Sequence, residues 1–139
     1  MPVFTHQEKI KTKGECDVQD LTPHAEKALR VSKFRDGILN IFVPGSTAGV
    51  TTIEFESGAI KDLQAAIQRL APNNIHYEHD KRWGDGNGYS HVRAALIKPG
   101  LAIPFKEARL LLGTWQQLVL IDFDNRPRKR ELIFQLVGE

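Results

Sequence analysis

A single cysteine, Cys16, stands in a chain of 139 residues. An internal disulfide and a cysteine-rich zinc site are thereby excluded, and a reducing cytoplasm is the simplest expected compartment. No run approaches the roughly 18 apolar residues that a membrane-spanning helix needs. The opening Met1-Pro2-Val3-Phe4-Thr5-His6 carries no apolar stretch of signal-peptide type. An excess of one charge is missing too: 19 Lys and Arg against 17 Asp and Glu leave +2. That balance sets up no field drawing the whole molecule onto nucleic acid or a membrane surface. No internal repeat, low-complexity tract or flexible linker divides the chain. What is present, 41% hydrophobic and 26% charged residues, suits one globular domain over residues 1–139.

Strand-like runs dominate. The pattern predicts strands from about Val3 to Thr12, Ile38 to Val43 and Val50 to Phe55. Three more are expected from Leu101 to Phe105, Leu118 to Phe123 and Glu131 to Val137. The nearly continuous apolar run from Ile38 to Val43 reads as a central strand covered on both faces. Two helices are expected. One is capped by Thr22, with Pro23 in its first turn and Ala25, Ala28 and Leu29 on its inner face. The other is capped by Ser57, with Ile60, Leu63, Ile67 and Leu70 at helical spacing. A polar, glycine-rich loop follows from Asp80 to Ser90, then a mixed run from His91 to Ile97. Asp124-Asn125-Arg126-Pro127 reads as a turn, with Asn125 suited to left-handed φ. Strands grouped around two helices indicate an α+β fold with largely antiparallel sheet.

Three constellations carry candidate chemistry. Between His76 and His91 lie three of the five histidines, with Asp80, Asp85 and three glycines among them. The glycines allow a tight fold-back that brings His79 and His91 together, as a metal site or an acid–base pair; an exposed, solvated loop is the alternative. Gly45-Ser46-Thr47-Ala48-Gly49 offers hydroxyl and backbone donors to a phosphate or carboxylate, or forms an ordinary polar turn. Glu54 and Glu56 share one strand face by period two, so either can enter a site beside that turn. Thr114, Trp115 and Gln116 offer an aromatic wall and amide hydrogen bonds to a planar ligand, unless Trp115 fills the core. Arg126, Arg128, Lys129 and Arg130 lack interleaved aromatics, and a solvated turn is favoured over nucleic-acid binding. Cys16, without a partner base, reads as a buried thiol rather than a nucleophile.

Taken together, Gly113-Thr114-Trp115-Gln116, preceded by Leu101-Ala102-Ile103-Pro104, resembles the signature of the YjbQ family, also called the secondary thiamine-phosphate synthases. The Ser46-Thr47-Ala48 turn, Glu54, Tyr77-Glu78-His79, Asn87 and His91 occur in the matching order, so the resemblance spans essentially the whole chain. It implies a two-layer α+β fold with mostly antiparallel sheets and two helices, assembled as a homotrimer. It also implies a metal or anion held in a histidine-lined cleft, and a transferase activity. That reaction couples a hydroxymethylpyrimidine diphosphate to a thiazole phosphate and releases pyrophosphate. This chain departs from the family pattern at Gly45, where a histidine is usual, at Ile53 for asparagine, and at Gly100 and Ala108 for serine and glycine.

On that resemblance, Ser46 and Thr47 with Arg93 or Arg109 are expected to hold the anion, and a divalent cation, magnesium or zinc, sits on His79, Asp85 and His91. Trp115 stacks on the pyrimidine, Asn87 and Gln116 orient its ring nitrogens, and Thr114 belongs to the same substrate site. His91 serves as general acid–base where no metal is bound. The missing imidazole at Gly45 weakens a zinc site relative to magnesium. It also leaves open a second reading, a binding protein for a small phosphorylated or anionic metabolite without turnover.

Overall fold

The computed structural model describes residues 2–139. Its elements in chain order are β1 (Val3–Thr12), β2 (Asp17–Asp20), α1 (Thr22–Ser32), β3 (Gly37–Phe42), β4 (Ala48–Ile53), α2 (Ser57–Leu70), α3 (Glu78–Trp83), α4 (Gly88–Ile97), β5 (Gly100–Lys106), β6 (Arg109–Leu110), β7 (Gln117–Asp122) and β8 (Arg128–Gly138). Two antiparallel sheets result, one ordered β1-β8-β3-β5-β6 and the other β2-β7-β4. The α+β class is as expected, but the described residues form four helices rather than two. None of them is long and apolar enough to cross a membrane.

The doubly covered strand is β7, not β3. Leu118 and Leu120 face the larger sheet within one core, and Val119, Ile121 and Phe123 enter a second core with Ile67 and Ala94 of α2 and α4. In β3 only Leu39 and Ile41 are buried, while Ile38 and Phe42 stay exposed on the sheet's outer face. Both strands are apolar runs, and hydropathy alone does not tell which one the tertiary layering sandwiches. On α2, Ile67 is buried as expected, but Leu70, at the helix end, is exposed.

Both helix starts are built differently from expectation. Glu56, not Ser57, caps α2, its carboxylate accepting from the amides of Gly58 and Ala59 at 2.8 Å each. Those two backbone donors hold the Glu56 carboxyl below the usual carboxylate range. Leu21 occupies the cap position of α1, and the Thr22 hydroxyl instead accepts the Leu118 amide at 2.9 Å, tying the helix to β7. A polar junction joins α1 to β1: Glu8 bridges His6 and His24, each at 2.9 Å. Burial pushes the Glu8 carboxyl up, but hydrogen bonds from His24 and His6 outweigh it and hold it below its ordinary value. Asn125 does not adopt left-handed φ; its side chain works through hydrogen bonds instead.

Steric demands on the backbone are marked at Gly100 and at the β5–β6 turn. At Gly100 a Cβ would run into the Ile41 carbonyl oxygen across the β3–β5 pairing. At the β5–β6 turn, Glu107 and Ala108 take φ of 52° and 60°, a conformation that a Cβ disfavours. Gly100→Ala is therefore expected to lower thermal stability by about 2 kcal/mol or more. Ala108→Gly is expected to leave it unchanged or raise it by up to about 1 kcal/mol. Thermal unfolding of the two variants beside wild type checks the pair.

Candidate functional site

β7 ends its apolar stretch at Asp122, and the chain continues as Phe123-Asp124. The alternation that placed Leu118 and Leu120 between the sheets places both aspartates at the end of that layer, where they are fully buried. Buried carboxylates need partners. Arg130 of β8 supplies a two-point contact, Nε to Asp122 Oδ2 at 2.7 Å and Nη2 to Oδ1 at 2.9 Å. Thr12 donates to Asp122 at 2.6 Å. Asp124 receives Thr47 at 2.9 Å and the Asn87 amide at 3.3 Å, with Arg128 Nη2 at 3.0 Å. Burial pushes the Asp124 carboxyl up, yet hydrogen bonds from Thr47, Arg128 and Asn87 outweigh it and hold it below the usual range. The basic turn expected to be solvated thus contributes Arg130 to the interior: a strand-borne arginine is drawn in by two carboxylates whose burial the sequence does not advertise.

This network positions the histidine segment. Asn87 accepts the Ser90 hydroxyl at 2.5 Å and the Asn125 amide at 3.1 Å, while Asn125 Nδ2 donates to the Asp85 carbonyl at 2.8 Å. The Phe123 carbonyl shares that single Ser90 hydroxyl proton. The residues expected to form a loop are instead a short helix, a turn and a second helix. Gly84, left-handed at φ 65°, ends α3, and Asp80 accepts the Gly88 amide at 2.9 Å where α4 starts. The apolar signal of α4 is diluted by Ser90 and Arg93, which are buried through polar contacts rather than hydropathy. Tyr89 anchors the same helix by donating to the Glu15 carboxylate at 3.0 Å; burial and that carboxylate push its phenol up to about 12.

The fold-back brings His79 and His91 together, their ring centroids 4.4 Å apart. His79 Nδ1 faces Asp80 Oδ1 at 3.5 Å and Asp85 Oδ1 at 3.6 Å. That nitrogen is buried and has no hydrogen-bond partner. One donor atom from each of His79, Asp80 and Asp85 lies within 4.8 Å of the others. A neutral imidazole turning a lone pair toward two carboxylates is repelled, so the arrangement calls for a proton on Nδ1 or a cation among the three. One imidazole nitrogen with two carboxylate oxygens suits a borderline or oxygen-preferring divalent ion. His91, half-buried on α4, stands beside this group rather than among its closest donors.

The other expected site residues lie elsewhere. Arg93 is consumed structurally, donating to the Ala71 carbonyl at 2.9 Å and to Gln68 at 2.6 Å, with its guanidinium 4.9 Å from the Tyr89 ring. Asn87 spends its amide on the network above. Ser46 is exposed beside buried Thr47. Thr114, Trp115, Gln116 and Glu54 sit at the opposite end of the small sheet. There Ile53 pairs with Gln117, whereas Ala48 pairs with Asp122 near the histidines. Five residues of strand separate those ends by about 17 Å. Trp115 fills no core: it is 73% exposed. Gln116 accepts the Gly113 amide at 3.0 Å, and Arg109 projects from β6. Cys16 is buried as expected, and burial pushes its thiol up to about 11, which excludes a ready thiolate. Sequence reading missed Asp122 and assigned Asp124 and Arg130 to a solvated turn; two acidic residues in alternation at the end of an apolar strand were the available signal.

Asp124→Asn removes the charge that compensates Arg128 and is expected to cost about 3 kcal/mol. Because the folded carboxyl lies below the ordinary aspartate value of about 3.9, its contribution is full above that pH and fades as pH falls through the lower folded value. Denaturant unfolding between pH 7 and 3 should accordingly show a shallower acid loss for the variant than for wild type.

Residues 6–139 match the family model described as UPF0047 protein YjbQ-like. A UPF0047 protein of Methanocaldococcus jannaschii is 34% identical over 99% of this chain and 95% of its own length. One of Mycobacterium bovis is 40% identical over 71% of this chain and 78% of its own. Among solved structures, a hypothetical protein from Aeropyrum pernix superposes with a TM-score of 0.90 at 29% identity, covering 98% of this chain and 99% of that one. A protein of unknown function from Sulfolobus solfataricus gives 0.88 at 25% identity over 99% and 100% of the two chains. The described elements, the span of the match and these relatives agree, and the chain belongs to the YjbQ-like UPF0047 family.

Proposed function

We propose that the cluster of His79, His91 and Asp85, with Asp80, binds a phosphorylated small molecule and acts on it. The reaction proposed is transfer of a pyrimidinylmethyl group from its diphosphate to a thiazole phosphate. The observation that carries the site is His79 Nδ1, buried, unpartnered and facing two carboxylates. His79, Asp80 and Asp85 would hold a divalent cation, which when bound neutralises charge on a leaving diphosphate. In the reaction the C–O bond to the diphosphate breaks and a C–N bond to the thiazole nitrogen forms, giving a thiazolium and pyrophosphate. His91 delivers a proton to the departing oxygen, and the exposed Ser46 hydroxyl donates to the phosphate. The Asp124 network supports this by fixing the segment that carries both histidines.

A second reading is favoured by one feature. Gly45, at φ 123°, places no side chain next to the Arg130 guanidinium, so the site has one fewer proton-handling group than the family pattern supplies. Metabolite binding without turnover fits that reduced set. Incubation with both phosphorylated substrates, read by fluorescence of oxidised thiamine phosphate, separates the two. Transfer predicts product that falls roughly 100-fold or more in His91→Ala, and that responds to chelator through His79 and Asp85. Binding alone predicts saturable calorimetric titration with no product in wild type.

We further propose assembly as a homotrimer through the outer face of the larger sheet. Strand register there aligns Val3, Val137, Ile38 and Pro104 in one row and Thr5, Gln135, Asn40 and Ala102 in the next. Neither row contains a charge, although charged residues make up 26% of the chain, and an uncharged, partly apolar face suits burial against a second copy. Ile38→Glu places a charge on an exposed position and spares the core, so light scattering should find a smaller species that remains folded.

A further inference from the structure

A cavity of about 740 Å³ opens between α1, the segment that follows it, and the wall formed by β6 and the turn to β7. Its position at the Gln117 end of β7 sets it apart from the histidine cluster. We propose that this cavity is a second ligand site, and that it takes a small organic anion: a phosphate or carboxylate carried on an apolar body. This goes beyond the reading of the His79 cluster and does not depend on it.

Charge comes first. Arg30 of α1, Lys33 at its C-terminal cap, Arg35 just beyond and Arg109 of β6 all line the cavity, against Glu26 as the one carboxylate in its wall. Among the described residues none of these four cations has a carboxylate within 4.0 Å. The arginines of β8 behave oppositely, since Arg128 and Arg130 are both paired. The carbonyl end of α1 offers a reason for Arg30 and Lys33 to lie near it. It offers none for Arg109, which approaches from the facing wall. Four unneutralised cations repel one another, and an anion among them relieves that repulsion.

The floor is apolar. Leu29 is buried, and Phe34, Leu110 and Leu112 are half-buried around it. An inorganic ion would leave that surface wet, whereas an organic body covers it. The volume is within the usual range for a ligand of modest size, roughly 300–1,000 Å³. The concavity is walled on two sides, by α1 and by β6, which suits a small molecule better than an extended nucleic-acid backbone.

The walls are set before any ligand arrives. The Ala108 amide donates to the Arg35 carbonyl at 2.8 Å, and the Glu107 amide to the Asp36 carboxylate at 3.1 Å. Those bonds hold the left-handed Glu107-Ala108 pair that aims β6 back along the cavity. Gln116, pinned through its Oε1, reaches only a 3.5 Å approach to Thr52 with its Nε2, leaving a donor for the ligand.

The test uses 8-anilinonaphthalene-1-sulfonate fluorescence with the full chain. Saturable binding is expected in wild type and in His91→Ala alike. Arg109→Gln should weaken it about tenfold, and Arg30→Gln/Arg109→Gln further; both positions are exposed, so circular dichroism should confirm unchanged folding. Phenyl phosphate should displace the probe at concentrations where inorganic phosphate and phenol separately do not. Equal affinity in the double variant, or absence of saturable binding in wild type, overturns the proposal. So does displacement by a short oligonucleotide but not by phenyl phosphate, which would make the surface a nucleic-acid contact.

Discussion

The two-point contact of Arg130 with Asp122 is the interaction on which the candidate site depends. Two sheets packed face to face leave an open end, and here that end is closed by charge rather than by apolar side chains. Such an arrangement is stable only when each ion finds a partner, because an unpaired ion in that layer would cost several kcal/mol. Thr12, Thr47 and Asn87 supply further bonds to the two carboxylates, while Nε of Arg128 is the one buried atom of this network left without a partner. Through Asn87 the same network reaches the segment that carries His79 and His91. The chemistry-bearing groups are therefore held from below by a rigid polar plug, while their own faces stay partly open to solvent.

Much of the scaffold was legible in the sequence, for a definite reason. The turn-prone Lys13-Gly14 bounds the strand from Val3 to Thr12, and the structure gives that strand one half-buried and one exposed face in alternation. Where both faces are covered the alternation vanishes, so β3 and β7 looked alike although only one is sandwiched. The stretch from Asp80 to Ser90 reads as loop because α3 buries no side chain, while α4 buries Ser90 and Arg93 and has Asn87 buried at its cap. Hydropathy registers such residues as loop. The pairing of His79 with His91 was recoverable because glycines mark where a chain turns back. The placement of Trp115 was not: a tryptophan beside an apolar strand looks the same whether it fills a core or faces water.

The chain has two polar regions at opposite ends of its small sheet, and they differ in physical character. Around His79 the carboxylates are in excess, which calls for a proton or a cation. Around Arg109 the guanidinium and ammonium groups are in excess, which calls for an anion. Residues adjacent in a sequence motif need not share a cleft. Thr47 precedes β4 and Gln116 precedes β7, and the antiparallel pairing of those two strands keeps them a strand's length apart.

The position of β7 has a consequence for how the molecule moves. Its backbone is hydrogen-bonded to β2 on one side and β4 on the other, and its side chains feed two separate hydrophobic cores. No partial opening frees its amides while leaving either core intact. Amide-proton exchange along this strand is therefore tied to global unfolding. The α3–α4 segment, with its outer surface open to solvent, is free to exchange by local fluctuation. The two regions meet at Asp124, where the network that fixes the histidines is anchored directly after the strand shared by both cores.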